Sequence, residues 1–456
     1  MATHIAPQIE ATRARLTLSP HWAIFAVALA LRLIFVLLID PHPNVSGGDT
    51  LWFMTTGRDL VTGSLTFLPT PGPVYLIFAG GMNALFGVDG GLTIIRALNA
   101  GMGAALCVFI YILGKRYLNE RAGLLAAIVL VVSPAFIIEA GNAMTESVFL
   151  FLFFGALALY ATRVHFRGWV GQGEAQVERA TTPATNYGAL IAVGVLLGIA
   201  TLTRAVAMLI PIILIAHVIY SQCRRAVRLV AILVVAYVLT VSTWTVYGLA
   251  RWGKFVIAAE GLAANIYLGT TQWCGPQCTD ANAGIKPGDN NDAHYVQNTV
   301  ATITGDPLGY LRTRFTNLSG ALLQPQNTVY YPGESIKTLF AQWWSAGHTP
   351  SELPRLFASD AFWPKLALYG FHYTALLFGV IGMLIGLRHF WERLPLYGVI
   401  LYFLGVHTVI MANPRYLLPI EPVLWLFAAY AIVQIATLRR DHARQAVAPS
   451  KTRAHV

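Results

Sequence analysis

The feature that most constrains this chain is a series of ten apolar runs, most of them near the length a helix needs to cross a bilayer. The hydrocarbon layer is about 30 Å thick, so a spanning helix takes roughly 20 mainly apolar residues. The runs are Trp22–Ile39, Leu92–Leu113, Ala122–Ile138, Ser147–Thr162, Tyr187–Leu202, Ala205–Tyr220, Leu229–Leu249, Leu366–Leu387, Leu394–Met411 and Leu417–Leu438. Backbone polar groups in hydrocarbon must pair within their own segment, so each run reads as helix. Charged residues are only 11% of the chain and the mean hydropathy is +0.59. A soluble domain carries roughly 25% charged residues, so lipid must cover much of this surface. The expected fold is an all-α polytopic membrane protein with about ten transmembrane helices.

Charge orients the spans. Val74–Phe86 is apolar but short, which marks it as interfacial or re-entrant. If it does not span and the N-terminus is inside, 18 of the 31 basic residues fall in short inner loops and tails. If it did span, Lys115-Arg116 and Arg224-Arg225 would face outward. The positive-inside rule therefore favours ten spans with both termini cytoplasmic. The same rule accounts for the net charge of +10, and no basic-aromatic module points to nucleic acid. Arg13 and Arg15 ahead of Trp22–Ile39 suit a signal anchor retained as the first span.

Three regions follow. Residues 1–249 form an N-terminal membrane module whose first external segment is 40–91. Residues 250–365 form a long external region, too long to be a mere connection. Residues 366–456 supply the last helices and a cytoplasmic tail. Cys274 and Cys278 lie in the long external region, where a small disulfide is the expected form. Asn44-Val-Ser and Asn317-Leu-Ser match the glycosylation pattern, which is common by chance. Trp343-Trp344 and Tyr330-Tyr331 fit an interfacial aromatic belt better than a sugar-stacking surface.

Ionisable groups at membrane depth are costly and mark functional sites. Asp49, Glu139, Glu146 and Glu421 all fall near the outer boundary in this topology. So do Arg96, Arg204 and Arg415. Some of these will pair merely to staple helices. The whole set is poor value as staples, because buried ion pairs add little stability. Arginine at all three basic positions suits bidentate phosphate binding. Carboxylates in a partly dry site suit general-base work or a divalent cation. Arg32, inside the first span, reads as structural, by snorkelling or pairing. His217, His372 and His407 read as core histidines.

Six stretches, taken in order, resemble the polyprenol-dependent glycosyltransferases of the GT-C superfamily, nearest to glycosyltransferase family 39 with its bacterial protein-mannosyltransferase and aminoarabinose-transferase branch. They are Gly48-Asp49-Thr50-Leu51-Trp52; Leu68-Pro-Thr-Pro-Gly-Pro-Val-Tyr75 with Leu85-Phe-Gly87; Arg96-Ala-Leu-Asn99 with Gly123-Leu-Leu-Ala-Ala and Ser133-Pro134; Leu202-Thr-Arg204; Trp244 through Gly253-Lys-Phe-Val256 to Asn265-Ile-Tyr-Leu-Gly269; and Pro414-Arg-Tyr-Leu-Leu-Pro419. The chain departs from the family at Ala205, where the family has Pro, and at Trp244-Thr-Val-Tyr, which lacks an Arg-Asn pair. Glu146 stands where many members have Asp, and Gly48-Asp49 where many have Asp-Glu.

The resemblance implies interfacial helices in the first external segment and an active site on the outer face of a bacterial plasma membrane. It implies a polyprenyl-phosphate sugar as donor and a lipid, glycan or protein hydroxyl as acceptor. Asp49 would be the catalytic base, with Glu146 orienting the acceptor or sharing a divalent cation with Asp49. Arg204, Arg415 and Arg96 would bind the donor phosphate. Glu139, Tyr75 and Arg58 are candidates for orienting the acceptor. No cofactor is required beyond that optional cation. Two other classes compete: a pyrophosphate-carrier glycan ligase or polymerase, and a lipid-linked sugar transporter or flippase. The transporter would show midplane charges and inverted repeats, and the sequence has neither.

Overall fold

The computed structural model describes residues 19–41, 48–164, 186–222, 225–270, 292–331, 335–345, 357 and 361–447. Cys274, Cys278 and Asn44 lie outside them. Among the described residues the regular structure is helical, with no strand. Helix α1 (Pro20–Ile34) is extended by a π-helical turn, Phe35–Ile39. Then come α2 (Asp49–Val61), α3 (Pro73–Tyr117), α4 (Glu120–Val132), α5 (Pro134–Gly141), α6 (Thr145–Arg163), α7 (Tyr187–Thr203), α8 (Pro211–Gln222) and α9 (Ala226–Trp252). The next segment holds α10 (Leu262–Leu268), α11 (Asp292–Gly305), α12 (Pro307–Leu322) and α13 (Ile336–Ser345). Helices α14 (Phe362–Gly386), α15 (Leu394–Val409), the short α16 (Pro414–Leu417) and α17 (Glu421–Val447) follow.

Proline sets several of these starts. It occupies the first turn of α1, α3, α5, α12, α15 and α16. There its missing N–H is one the helix would leave unpaired anyway. Ser133-Pro134 breaks what would be one span into α4 and α5, bent by 53°. Seven helices are long and apolar enough to cross a membrane, and the bent pair makes an eighth if it is one span. Two of the ten apolar runs correspond instead to shorter helices, α7 with 17 residues and α15 with 16. The chain is an integral membrane protein built as a helical bundle.

The bundle packs α14 on α17, α7 on α9, and α3 against α1, α4 and α6. Arg32 is fully buried, but it neither snorkels nor meets a carboxylate. Its guanidinium donates to the carbonyls of Ala28 and Leu130, both at 3.1 Å, and to the Cys107 thiol at 3.6 Å. His217 bonds Tyr160 Oη through Nδ1 at 2.8 Å.

The segment after the first span holds a helix pair, α2 and the start of α3. Helix α3 breaks at Gly87, whose φ of 71° is open to glycine at little cost. The part ahead of the break, holding Val74–Phe86, packs along α2. Gly57 and Gly80 let the two backbones touch: a Cβ on Gly57 would lie 2.1 Å from the Leu76 carbonyl oxygen. The described part of the segment between α9 and α14 folds over the same end of the bundle. Glu260 N donates to Thr70 O at 3.0 Å, Met411 N to Asn265 O at 2.9 Å, and Asn327 Nδ2 to Ala135 O at 2.8 Å. Asn317 is buried on α12 and donates to Gly269 O, so its sequon does not present a surface acceptor. Tyr330 packs on Phe35 at 5.7 Å between ring centres, covering the end of α1.

Candidate active site

Helix ends bring the charges together. Glu146 lies in the first turn of α6, where unpaired N–H groups favour an anion. Arg204 follows the last residue of α7, in extended backbone. Asp49 opens α2, directly after Gly48. Asn413 caps α16, its Oδ1 accepting from Arg415 N at 3.0 Å, and so fixes the turn that carries Arg415. Because α6 and α7 pack together, the start of one and the end of the other meet.

Glu146 is the hub. Arg204 Nη1 donates to Glu146 Oε1 at 2.6 Å. Arg415 Nε donates to the same oxygen, and Arg415 Nη2 reaches Oε2 at 3.3 Å. Arg415 Nη1 donates to Asp49 Oδ2 at 3.1 Å. Two guanidiniums and two carboxylates thus form one chain, Arg204–Glu146–Arg415–Asp49. Side-chain exposure rises along it from 2% at Glu146 to 25% at Arg415 and 63% at Asp49. The buried end is fixed, and the Asp49 end faces outward. The Arg204 guanidinium also sits over Tyr416 at 5.1 Å and Phe149 at 5.8 Å. Among the described residues it donates only from Nη1, which leaves Nε and Nη2 for an incoming anion.

Tyr75 joins this group from α3. Its side chain is fully buried and its hydroxyl has no hydrogen-bond partner. It lies within electrostatic reach of Glu146 and Arg415, and Phe53 packs edge-on against its ring at 5.1 Å. A buried orphan hydroxyl is costly unless a ligand supplies its partner.

Other sequence candidates go elsewhere. Arg96 does not reach the cluster. Its Nη2 binds the Asp40 carboxylate at 2.7 Å and the Asp40 carbonyl at 2.7 Å, while Nε binds Gly141 O at 2.9 Å. Those bonds engage Nε and Nη2, so Arg96 ties the ends of α1 and α5 to α3. Glu139 lies within electrostatic reach of Glu146 and Arg415 but, among the described residues, hydrogen-bonds no arginine. Its Oε2 accepts from Asn142 Nδ2 and from Asn327 Nδ2, both at 3.2 Å. Glu421 is buried 3.9 Å from His372 Nδ1, away from the arginines. Arg58 is half-exposed and its nearest carboxylate is Asp59, at 3.7 Å. A divalent cation would have Asp49 and Glu146 as ligands, but Arg415 bridges those two already. No group of three or more His, Cys, Asp or Glu gathers among the described residues.

The sequence reading passed over Asp40, Asn142, Asn327 and Tyr416. Asp40 carried a usable signal, since it ends the first span at the depth assigned to Arg96. Asn327 carried none: it lies 188 residues from Glu139 and reaches it from a left-handed backbone of φ 65°.

The chain resembles known proteins in two ways. Residues 55–258 match the family model of the dolichyl-phosphate-mannose-protein mannosyltransferases. The whole fold is similar to that of the oligosaccharyltransferase of Archaeoglobus fulgidus. The apo form aligns with a TM-score of 0.52 at 14% identity, over 93% of this chain and 52% of that one. The form tethered to an acceptor peptide gives 0.52 and 14%, over 92% and 50%. This chain therefore spans about half the length of that protein. ArnT of Cupriavidus metallidurans bound to undecaprenyl phosphate aligns at 16% identity over 94% of this chain and 80% of its own, with a TM-score of 0.41. No curated protein matches by sequence. The matched stretch holds Tyr75, Arg96, Glu139, Glu146 and Arg204, and the fold is similar to that of the archaeal oligosaccharyltransferase.

Proposed function

We propose, for a chain with the GT-C fold and this charge cluster, that it transfers a sugar from a polyprenyl-phosphate donor to an acceptor hydroxyl on the outer face of the membrane. The observation that carries the proposal is the chain Arg204–Glu146–Arg415–Asp49, assembled from four separate parts of the sequence. A lipid-phosphate donor is supported by the family whose model matches, which is described by dolichyl-phosphate-mannose.

The donor phosphate takes the free N–H groups of Arg204, the hydroxyl of Tyr75 and the exposed edge of Arg415. Glu146 holds both guanidiniums in place before the phosphate arrives, so little reorganisation is left for the reaction. Asp49, the exposed carboxylate, accepts the proton of the acceptor hydroxyl. The acceptor oxygen bonds to the anomeric carbon as that carbon's bond to the phosphate oxygen breaks. The electron pair leaves with the phosphate, where the guanidiniums stabilise it. One displacement inverts the anomeric centre. No metal step is needed, because Arg415 already places positive charge between Asp49 and Glu146. Arg96 is assigned a structural role, as its Nε and Nη2 bond Gly141 and Asp40 and not the Arg204–Glu146–Arg415–Asp49 chain.

The test is transfer of labelled sugar from a panel of polyprenyl-phosphate sugars, by protein in lipid vesicles with membrane acceptors. Asp49→Asn should lose about 10²- to 10⁴-fold in rate, the usual contribution of a positioned base. Its fold should survive, since Asp49 is exposed. Full turnover in that variant would remove Asp49 from the role. Transfer only from pyrophosphate carriers would favour the ligase or polymerase class. Transbilayer movement of donor without transfer would favour the transporter.

A further inference from the structure

Helix α13 buries none of its side chains. Its apolar residues are Ile336, Leu339, Phe340, Trp343 and Trp344. That spacing, i, i+3, i+4, i+7 and i+8, gathers them into one stripe along the helix. Lys337, Thr338, Gln342 and Ser345 take the other faces. The outer edge of the stripe is open: Phe340 is 53% exposed and Trp344 58%. Their rings stack on each other with centres 6.2 Å apart. Large aromatic rings this exposed, gathered on one stripe of a short helix, form an apolar patch of the kind that marks a contact surface.

The position of the stripe says what covers it. Helix α13 is held against α14, a long apolar helix able to cross the membrane. Lys337 Nζ lies 5.9 Å from the centre of the Tyr369 ring on α14. Lys337 Nζ and Tyr369 Oη both donate to Gln324 Oε1, each at 3.2 Å. The outward side of α14 exposes Trp363, Leu366 and Leu377, the surface lipid must cover. The contact between the two helices lies near the start of α14, at Tyr369. A short amphipathic helix with a Trp-rich face and a flanking lysine has the chemistry of a membrane-surface helix.

We propose that α13 lies in the membrane surface, its Phe340–Trp344 edge set among lipid headgroups, and that it anchors the external segment there. The anchor is wired to the acidic turn. Lys337 fixes Gln324, and Gln324 Nε2 donates to Thr328 Oγ1 at 2.8 Å. Thr328 adjoins Asn327, whose side chain clamps Glu139 and the Ala135 carbonyl. Membrane contact at α13 therefore restrains a segment that holds one of the buried carboxylates. This proposal stands apart from the sugar-transfer reading and needs only that the chain sits in a bilayer.

The experiment uses the full chain in lipid nanodiscs whose acyl chains carry bromine either near the headgroup or near the tail end. Wild type minus Trp343→Phe/Trp344→Phe isolates two of the 11 tryptophans, and phenylalanine keeps the stripe apolar. The difference emission should be largely lost with bromine near the headgroup, less with bromine near the tail, and shielded from aqueous acrylamide. Emission untouched by brominated lipid and open to acrylamide would overturn the proposal. If added acceptor glycan then shielded it, the stripe would be a stacking platform instead. A second variant, Phe340→Ser/Trp344→Ser, tests the anchor, because both side chains are more than half exposed; an unchanged melting point in detergent shows that its fold is intact. Hydrogen exchange over 324–345 should speed up in nanodiscs, and unchanged exchange would refute the link to Asn327.

Discussion

Glu146→Gln is the perturbation that asks most of the site. The amide has the shape of the carboxylate but no charge, and its NH2 faces guanidinium donors. Glu146 is 2% exposed and neutralises two arginines, Arg204 at 2.6 Å and Arg415 through both oxygens. A unit pair at about 4 Å is worth about 4 kcal/mol at an effective dielectric constant of roughly 20. Removing one partner of a buried pair costs about 3–5 kcal/mol. Arg415 keeps Asp49, but that contact is exposed and contributes at most about 1 kcal/mol. The variant should therefore lose about 3–5 kcal/mol, two to four decades in the folded ratio. The assay is thermal unfolding of wild type and variant in the same detergent, with and without polyprenyl phosphate. Without ligand the variant should melt well below wild type. With ligand it should recover more than wild type gains, because the phosphate supplies the missing negative charge to two waiting guanidiniums. It should bind without turning over, since those guanidiniums are no longer held for the leaving group. An unchanged melting point would refute the hub assignment. A destabilised variant that gains no more than wild type from the lipid phosphate would refute the phosphate site.

Arg96→Gln should cost about 1–3 kcal/mol in stability by stranding the partly buried Asp40 carboxylate, while donor affinity of the folded fraction stays at the wild-type value; a selective loss of affinity in a binding titration would return Arg96 to the phosphate. Gly57→Val should cost up to about 3 kcal/mol, because its Cβ falls 2.1 Å from the Leu76 carbonyl oxygen and backbone on both sides cannot yield as a side chain would; a melting point within error of wild type would mean that α2 and α3 can separate freely. Chelation with EDTA should leave sugar transfer intact, and a loss restored by Mg²⁺ would put a cation between Asp49 and Glu146.

Sequence reasoning located the charged residues well and their partners poorly, and the two outcomes have different physics. A carboxylate or guanidinium near membrane depth is conspicuous because it is expensive there, so Asp49, Glu146, Arg204 and Arg415 stand out from apolar runs on either side. Helix ends bring the same four together, and a helix end is written locally, in Asn413-Pro414 and in the break after Thr203. Pairing is decided by rotation about the helix axis and by which neighbour lies opposite. Arg96 and Arg415 read alike as arginines at the outer boundary. Yet Arg96 turns toward Asp40 and Gly141, and Arg415 toward Glu146 and Asp49. One residue of shift along a helix rotates a side chain by about 100°, which is enough to exchange those partners. Glu139 and Glu146 make the point within one turn of chain. Seven residues apart on two different helices, they face different surroundings, one held by neutral amides and the other by two cations. Two carboxylates placed so differently are suited to different work: the one wired to guanidiniums holds two cations in place, and the one held by Asn142 and Asn327 ties α5 to the turn at Asn327.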